Sequence, residues 1–140
     1  ISNFNIELTQ QAIDSIGLEH IATNKIELSP YLQNHRLVDF LQSQNIDVTS
    51  YMTLAYGKVL NDSLLLDIAA QHQASSAQIA LAWALQKGFA VIPSSTNREH
   101  LIANLRAQEI QLTKDEMAAI AKLNRNAREV NPEQLAPLWD

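Results

Sequence analysis

Phe89-Ala90-Val91-Ile92-Pro93-Ser94-Ser95-Thr96-Asn97-Arg98-Glu99-His100 is the stretch whose reading decides the fold. Phe89 to Ile92 are apolar or small, as a short strand buried on both faces should be. Pro93 has no N–H to give a ladder and belongs at the strand's end. Thr96 and Glu99 stand at capping-box spacing, and Leu101, Ile102 and Leu105 form an apolar stripe behind them. The stretch therefore reads as strand, turn and helix, with the hydroxyls of Ser94, Ser95 and Thr96 crowded at a helix N-terminus. Free N–H groups and the positive end of the helix dipole favour an anion there, above all a phosphate. The plainer alternative is that Thr96 caps a helix and the serines face water.

Working outward, Ser75 and Gln78 make a second capping box, with Ile79, Ala82, Trp83 and Leu85 facing inward and Gly88 as the stop. Asp62 starts a helix carrying Leu64, Leu65, Ile68 and Ala69, and Thr113 with Glu116 boxes a last one carrying Met117, Ile120 and Leu123. Toward the start, Ile46 to Tyr51 is a β-branched strand with period-two character, and Ile21 to Leu28 is a mixed strand ended by Pro30. Leu37, Val38, Phe40 and Leu41 give a helical stripe between them, and Thr9 is placed to cap a first helix closed by Gly17. Few strand positions alternate cleanly, which predicts strands covered on both sides. Alternation of strand and helix means parallel strands with right-handed crossovers. Four such strands fit a small open sheet or half of an eight-stranded β/α barrel.

A length of 140 residues suits one domain. Net charge of −5 argues against a general nucleic-acid binder. With no cysteine there are no disulfides, thiol catalysis or Cys-ligated metals. No run is long and apolar enough to span a bilayer, and a cytoplasmic setting is expected. His20, His35 and His72 read as surface or packing residues, and no His/Asp/Glu cluster has metal-ligand spacing. The chain begins at Ile1, and Ile1-Ser2-Asn3-Phe4 already looks like the end of a strand. That predicts a missing upstream segment.

Four strand ends carry a family resemblance when read together. They are Ile1-Ser2-Asn3-Phe4, Asn24-Lys25-Ile26-Glu27-Leu28-Ser29-Pro30-Tyr31, Ser50-Tyr51-Met52-Thr53-Leu54-Ala55-Tyr56-Gly57-Lys58 and Val91-Ile92-Pro93-Ser94-Ser95. In that order they resemble the C-terminal half of an aldo-keto reductase of the bacterial diketogluconate and methylglyoxal reductase kind. Leu135-Ala136-Pro137-Leu138-Trp139-Asp140 resembles that group's tail. The resemblance implies an α/β fold, the second half of a (β/α)8 barrel with about four parallel strands. Residues 1–140 would be a single fragment with a tail over 125–140, and ligands would sit at the C-terminal rim of the strands.

The resemblance also implies the chemistry, a hydride transferred from NADPH to a small aldehyde or ketone. Ser2 and Asn3 would hydrogen-bond the nicotinamide carboxamide, although such residues also simply begin turns. Lys25 stands where the family usually has Gln and offers donors only, so it would reach the carbonyl but not the amide N–H. Lys25 could instead pair with Glu27 or extend into water. Tyr51 matches the aromatic that stacks on the nicotinamide ring. Met52, Leu54 and the loop through Gly57 and Lys58 resemble the segment that wraps the pyrophosphate; otherwise Lys58 is a solvated charge.

Ser94, Ser95 and Thr96 would hold the adenosine 2′-phosphate. The family commonly has Lys or Arg at position 94, Arg at His100 and Glu at Ala103, while Asn104 matches. Two cations are lost or weakened, so NADPH is expected with a reduced preference over NADH, and Arg98 is a nearby substitute. Leu135 and Trp139 resemble the loop that covers the substrate pocket; the alternative is an apolar tail docked on the barrel.

The family's acid–base Tyr, with its Lys, Asp and His, lies in the other half, so no catalytic residue is expected in this chain. Half a barrel leaves open edges. Its partner would be the N-terminal half-barrel or a second copy of this chain. The competing reading is a non-catalytic α/β module that binds a nucleotide or a protein.

Overall fold

The structure, a computed structural model, describes residues 1–140. Three parallel strands lie in the order β1 (Thr23–Glu27), β2 (Asp47–Tyr51), β3 (Ala90–Val91). A parallel bridge from Ser2 to Lys25 places the first residues beside β1, as a fourth strand tip. Registers pair Glu27 with Tyr51 and Thr49 with Ala90. The helices are α1 (Ile6–Ile16), α2 (His35–Ser43), α3 (Ser63–Gln71), α4 (Ser76–Gln86), α5 (Arg98–Arg106) and α6 (Lys114–Ala121).

The helices start and stop for local reasons. Asp62 accepts the Leu65 N–H at 3.2 Å and caps α3. Reciprocal capping boxes form at Ser75/Gln78 and Thr113/Glu116. Gly17 ends α1 at φ 89°, a conformation natural to glycine, and returns its N–H to Ile13 O at 2.9 Å. Two expected caps are corrected. Asn5, not Thr9, opens α1 by accepting the Leu8 N–H at 2.8 Å, while buried Thr9 donates to Asn5 O from inside the helix. Asn97, not Thr96, opens α5, because its shorter reach to the Glu99 N–H (2.9 Å) starts the helix one residue later.

Helices cover one face of the strands, and the other is closed only at its C-terminal end, where Glu27 is buried under the tail, which corrects the expectation of two covered faces. Asn24, Ile26, Val48 and Ser50 point under the helices and are buried. Lys25 and Asp47, on the alternate positions, are exposed, and Thr23, Thr49 and Tyr51 are half-buried. In strand geometry these alternate residues share one face. The core lies between the covered face and α2, α3 and α4, with Leu41, Leu65, Ile79 and Trp83 wholly or nearly buried.

Candidate functional site

The open face of the sheet carries the strand-tip residues. Ser2 lies against Lys25, and Asn3 N–H donates to Lys25 O at 2.9 Å. The Tyr51 hydroxyl donates to Asn3 Oδ1 at 2.8 Å, which joins the first strand tip to that of β2 across β1. Ser2, Asn3, Lys25 and Tyr51 are thus brought to one rim. Lys25 is exposed and does not pair with Glu27, because Glu27 is taken by other partners. Burial raises the Tyr51 phenol above its ordinary value, and the Glu27 carboxylate adds to this against Arg128.

Beyond Tyr51 the chain turns sharply. Met52, Ala55 and Tyr56 take φ of 54°, 47° and 52°, left-handed values that cost non-glycine residues energy, and Gly57 follows at 85°. The turn is held from beneath by a hydroxyl relay in which the Thr53 and Ser50 hydroxyls lie 2.6 Å apart and Ser50 donates to Leu28 O. Met52 to Tyr56 form one wall of a cleft and Ile92, Pro93 and Ser94 the other, enclosing about 170 Å³. That is below the size usual for a whole cofactor site.

The remaining sequence-predicted residues scatter somewhat. The Ser95 hydroxyl accepts the Asn97 N–H at 3.0 Å, and Thr96 and His100 are exposed near it at the start of α5. Asn104 lines a neighbouring apolar groove with Leu101, Leu105 and Ile92. Lys58 is not a free surface charge, since its ammonium pairs with the Glu129 carboxylate. Trp139 is docked rather than loose; the Arg128 guanidinium lies 3.6 Å over its ring and its indole N–H donates to Asn131. Leu135 is 84% exposed and covers nothing in this chain.

Sequence reasoning missed Glu27 as a site residue. Its side chain is 0% exposed at the end of β1. One carboxylate oxygen accepts the Glu129 N–H at 2.7 Å and the other the Val130 N–H at 2.9 Å. Asn34 donates to Glu27 O at 2.8 Å and accepts from Arg128 at 3.1 Å. A carboxylate set between Ile26 and Leu28 was the available signal, because a Glu is seldom fully buried without partners. His72, read from the sequence as a surface or packing residue, is half-buried and has a partner. Its Nε2 lies 2.9 and 3.0 Å from the two oxygens of Glu116.

The Tyr31 phenol is pushed up to about 12 by burial and by its hydrogen bond to Asp62 (2.9 Å). No group of three or more His, Asp or Glu could hold a metal ion. No helix is long and apolar enough to cross a membrane.

A parallel half-barrel with its polar strand tips on one rim defines a class, and comparison with known proteins supplies the family. The family model described as "Aldo/keto reductase family" matches residues 1–125, and the chain belongs to the aldo-keto reductases. It is 56% identical over 140 residues to methylglyoxal reductase DkgB of Escherichia coli O157:H7 and 54% identical to that of Salmonella typhi. Each match covers all of this chain and 52% of the relative, so the chain spans about half the length of these curated relatives. A crystal structure of a "putative 2,5-diketo-D-gluconic acid reductase B" superposes with TM-score 0.95 at 38% identity, over 100% of this chain and 50% of that one. A mutant of Gox0644 in complex with NADPH superposes at 0.89 with 33% identity, over 98% and 51%. The fold is therefore half of a (β/α)8 barrel.

Proposed function

We propose that this chain is the second, cofactor-binding half of an NADPH-dependent reductase of small aldehydes and ketones, of the methylglyoxal or diketogluconate kind. The single observation that carries the reading is the convergence of Ser2, Asn3, Lys25 and Tyr51 on one rim, linked by the Tyr51–Asn3 hydrogen bond. NADPH would supply the hydride. Ser2, Asn3 and Lys25 offer polar groups to a carboxamide, and Tyr51 offers a flat face to its ring. The turn at Met52 to Leu54 and the ammonium of Lys58 would bind the pyrophosphate, and Ser94, Ser95, Thr96, His100 and Asn104 the adenosine phosphate end. Trp139 and Leu135 belong to the substrate mouth.

The acid–base residues belong to the other half-barrel, which packs on the open face and edges; a second copy of this chain is the alternative occupant. We place the reaction in the cytoplasm. The test is NADPH oxidation with methylglyoxal. The 140-residue chain alone gives none, and the protein that carries it together with the completing half gives turnover. Turnover by the chain alone would overturn the division of labour. NADPH is preferred over NADH, less strongly than in relatives with cations at positions 94 and 100. A catalytic-efficiency ratio favouring NADH would overturn the phosphate assignment.

A further inference from the structure

Glu27 and Tyr51 are register partners on adjacent strands and share the open face. The two N–H groups that Glu27 accepts belong to consecutive tail residues, about a hundred positions away in the chain. Each carboxylate oxygen takes one of them, so the direction of the tail is fixed as well as its position. Glu129 then reaches sideways to Lys58, and Arg128 reaches Asn34 while lying over Trp139. One buried side chain thus sets where residues 128–130 run beside the Tyr51 ring, and the Trp139 indole follows through Arg128. Without Glu27 the backbone of residues 129 and 130 would lose both of its bonds to β1. The tail would keep the Arg125 and Ala127 N–H bonds to Tyr31 O, the Arg128–Asn34 bond, a half-exposed ion pair at Lys58, and bonds from Asn5 to Leu138 O and from Ile6 N–H to Asp140.

We propose that Glu27 is a positioning residue for the substrate mouth: its buried carboxylate pins the tail at residues 129–130 against the rim beside Tyr51. This rests on the reductase reading above. Glu27 touches neither substrate nor cofactor; it acts through the tail. Its loss therefore weakens carbonyl binding and leaves the cofactor's contacts in place.

The experiment uses the complete protein with Glu27→Gln and, separately, Val130→Pro, which removes one of the two N–H donors without touching β1. Each variant raises KM for methylglyoxal by about tenfold, the cost of one charge-assisted hydrogen bond. kcat and the NADPH dissociation constant stay within about twofold of the parent. The double variant is no worse than the worse single one, because both break the same contact. Proteolytic cleavage within residues 131–140 is faster in each variant. An unchanged KM and an unchanged cleavage rate in a folded Glu27→Gln protein would overturn the proposal. So would a parallel loss of kcat, NADPH affinity and melting temperature, which is the mark of a merely structural residue. If the parent protein reduces no carbonyl with NADPH, the reductase reading fails by itself, and tail cleavage alone then decides whether Glu27 is the pin.

Discussion

α4 and α5 are neighbours in sequence, flank the same strand and are both capped by a side chain at their N-termini. α4 buries seven of its 11 residues, and α5 buries none of its nine. Trp83 on α4 is 1% exposed and meets Phe89 edge to face at 6.3 Å, whereas Leu105 on α5 is 71% exposed. Both helices have apolar residues to bury. What differs is that α4 packs against α3, the turn after β2 and β3, while α5 packs chiefly against α4 at the outer side of the sheet. An apolar stripe states a demand for a partner, and within this chain α5 leaves that demand largely unmet.

That comparison can be tested at both ends. Trp83→Ala should cost about 3–5 kcal/mol of unfolding free energy in urea denaturation, as a large buried aromatic does. A loss below about 1 kcal/mol would mean that the α4 layer is not the core of this half. Leu105→Ser sharpens the contrast. In the chain alone it should change stability by no more than about 0.5 kcal/mol, as at an ordinary exposed site. On the half-barrel reading proposed above, it should cost about 1.5–3 kcal/mol in the complete protein, where the groove would be covered. Equal small effects in both would leave α5 without the partner assigned to it.

The smallest expected effect concerns a tie that the inner layer has and α5 lacks. His72, at the C-terminus of α3, meets Glu116 in the first turn of α6, whereas Arg98 and Glu99 on α5 form only an exposed pair at 3.6 Å. Burial by itself would raise the Glu116 carboxyl, but the Thr113 N–H, the His72 ring and the Thr113 hydroxyl outweigh it and hold it below its usual value. A depressed carboxyl stabilises the fold above its unfolded pKa of about 4.3, and that stabilisation is lost as pH falls through the lower folded value. Amide exchange at the start of α6 should therefore accelerate on acidification in that window, and Glu116→Gln should remove this acid limb.

Much of the framework was legible because its causes are local. The strands around Ile26 and Val48 announce themselves by β-branched runs, and the boxes at Ser75/Gln78 and Thr113/Glu116 close within one helical turn. Thr9 and Thr96 misled because an asparagine nearby competes for the same orphan N–H groups, and spacing alone does not rank the two. Glu27 was legible only as a carboxylate in need of a partner, set between Ile26 and Leu28. Its partners, the N–H groups of Glu129 and Val130, lie 102 and 103 positions away and have no side-chain signature at all.

The sequence by itself determined the alternation of strands and helices, most helix ends and the polar strand tips, because these depend on hydrogen bonds and periodicities spanning a few residues. Only the tertiary structure decided that one face of the sheet lacks a helix layer, that α5 buries none of its residues, and that the tail is fastened to β1. Each of those depends on which distant groups reach one another first, and a backbone N–H available to any carboxylate leaves no mark on the order of the amino acids.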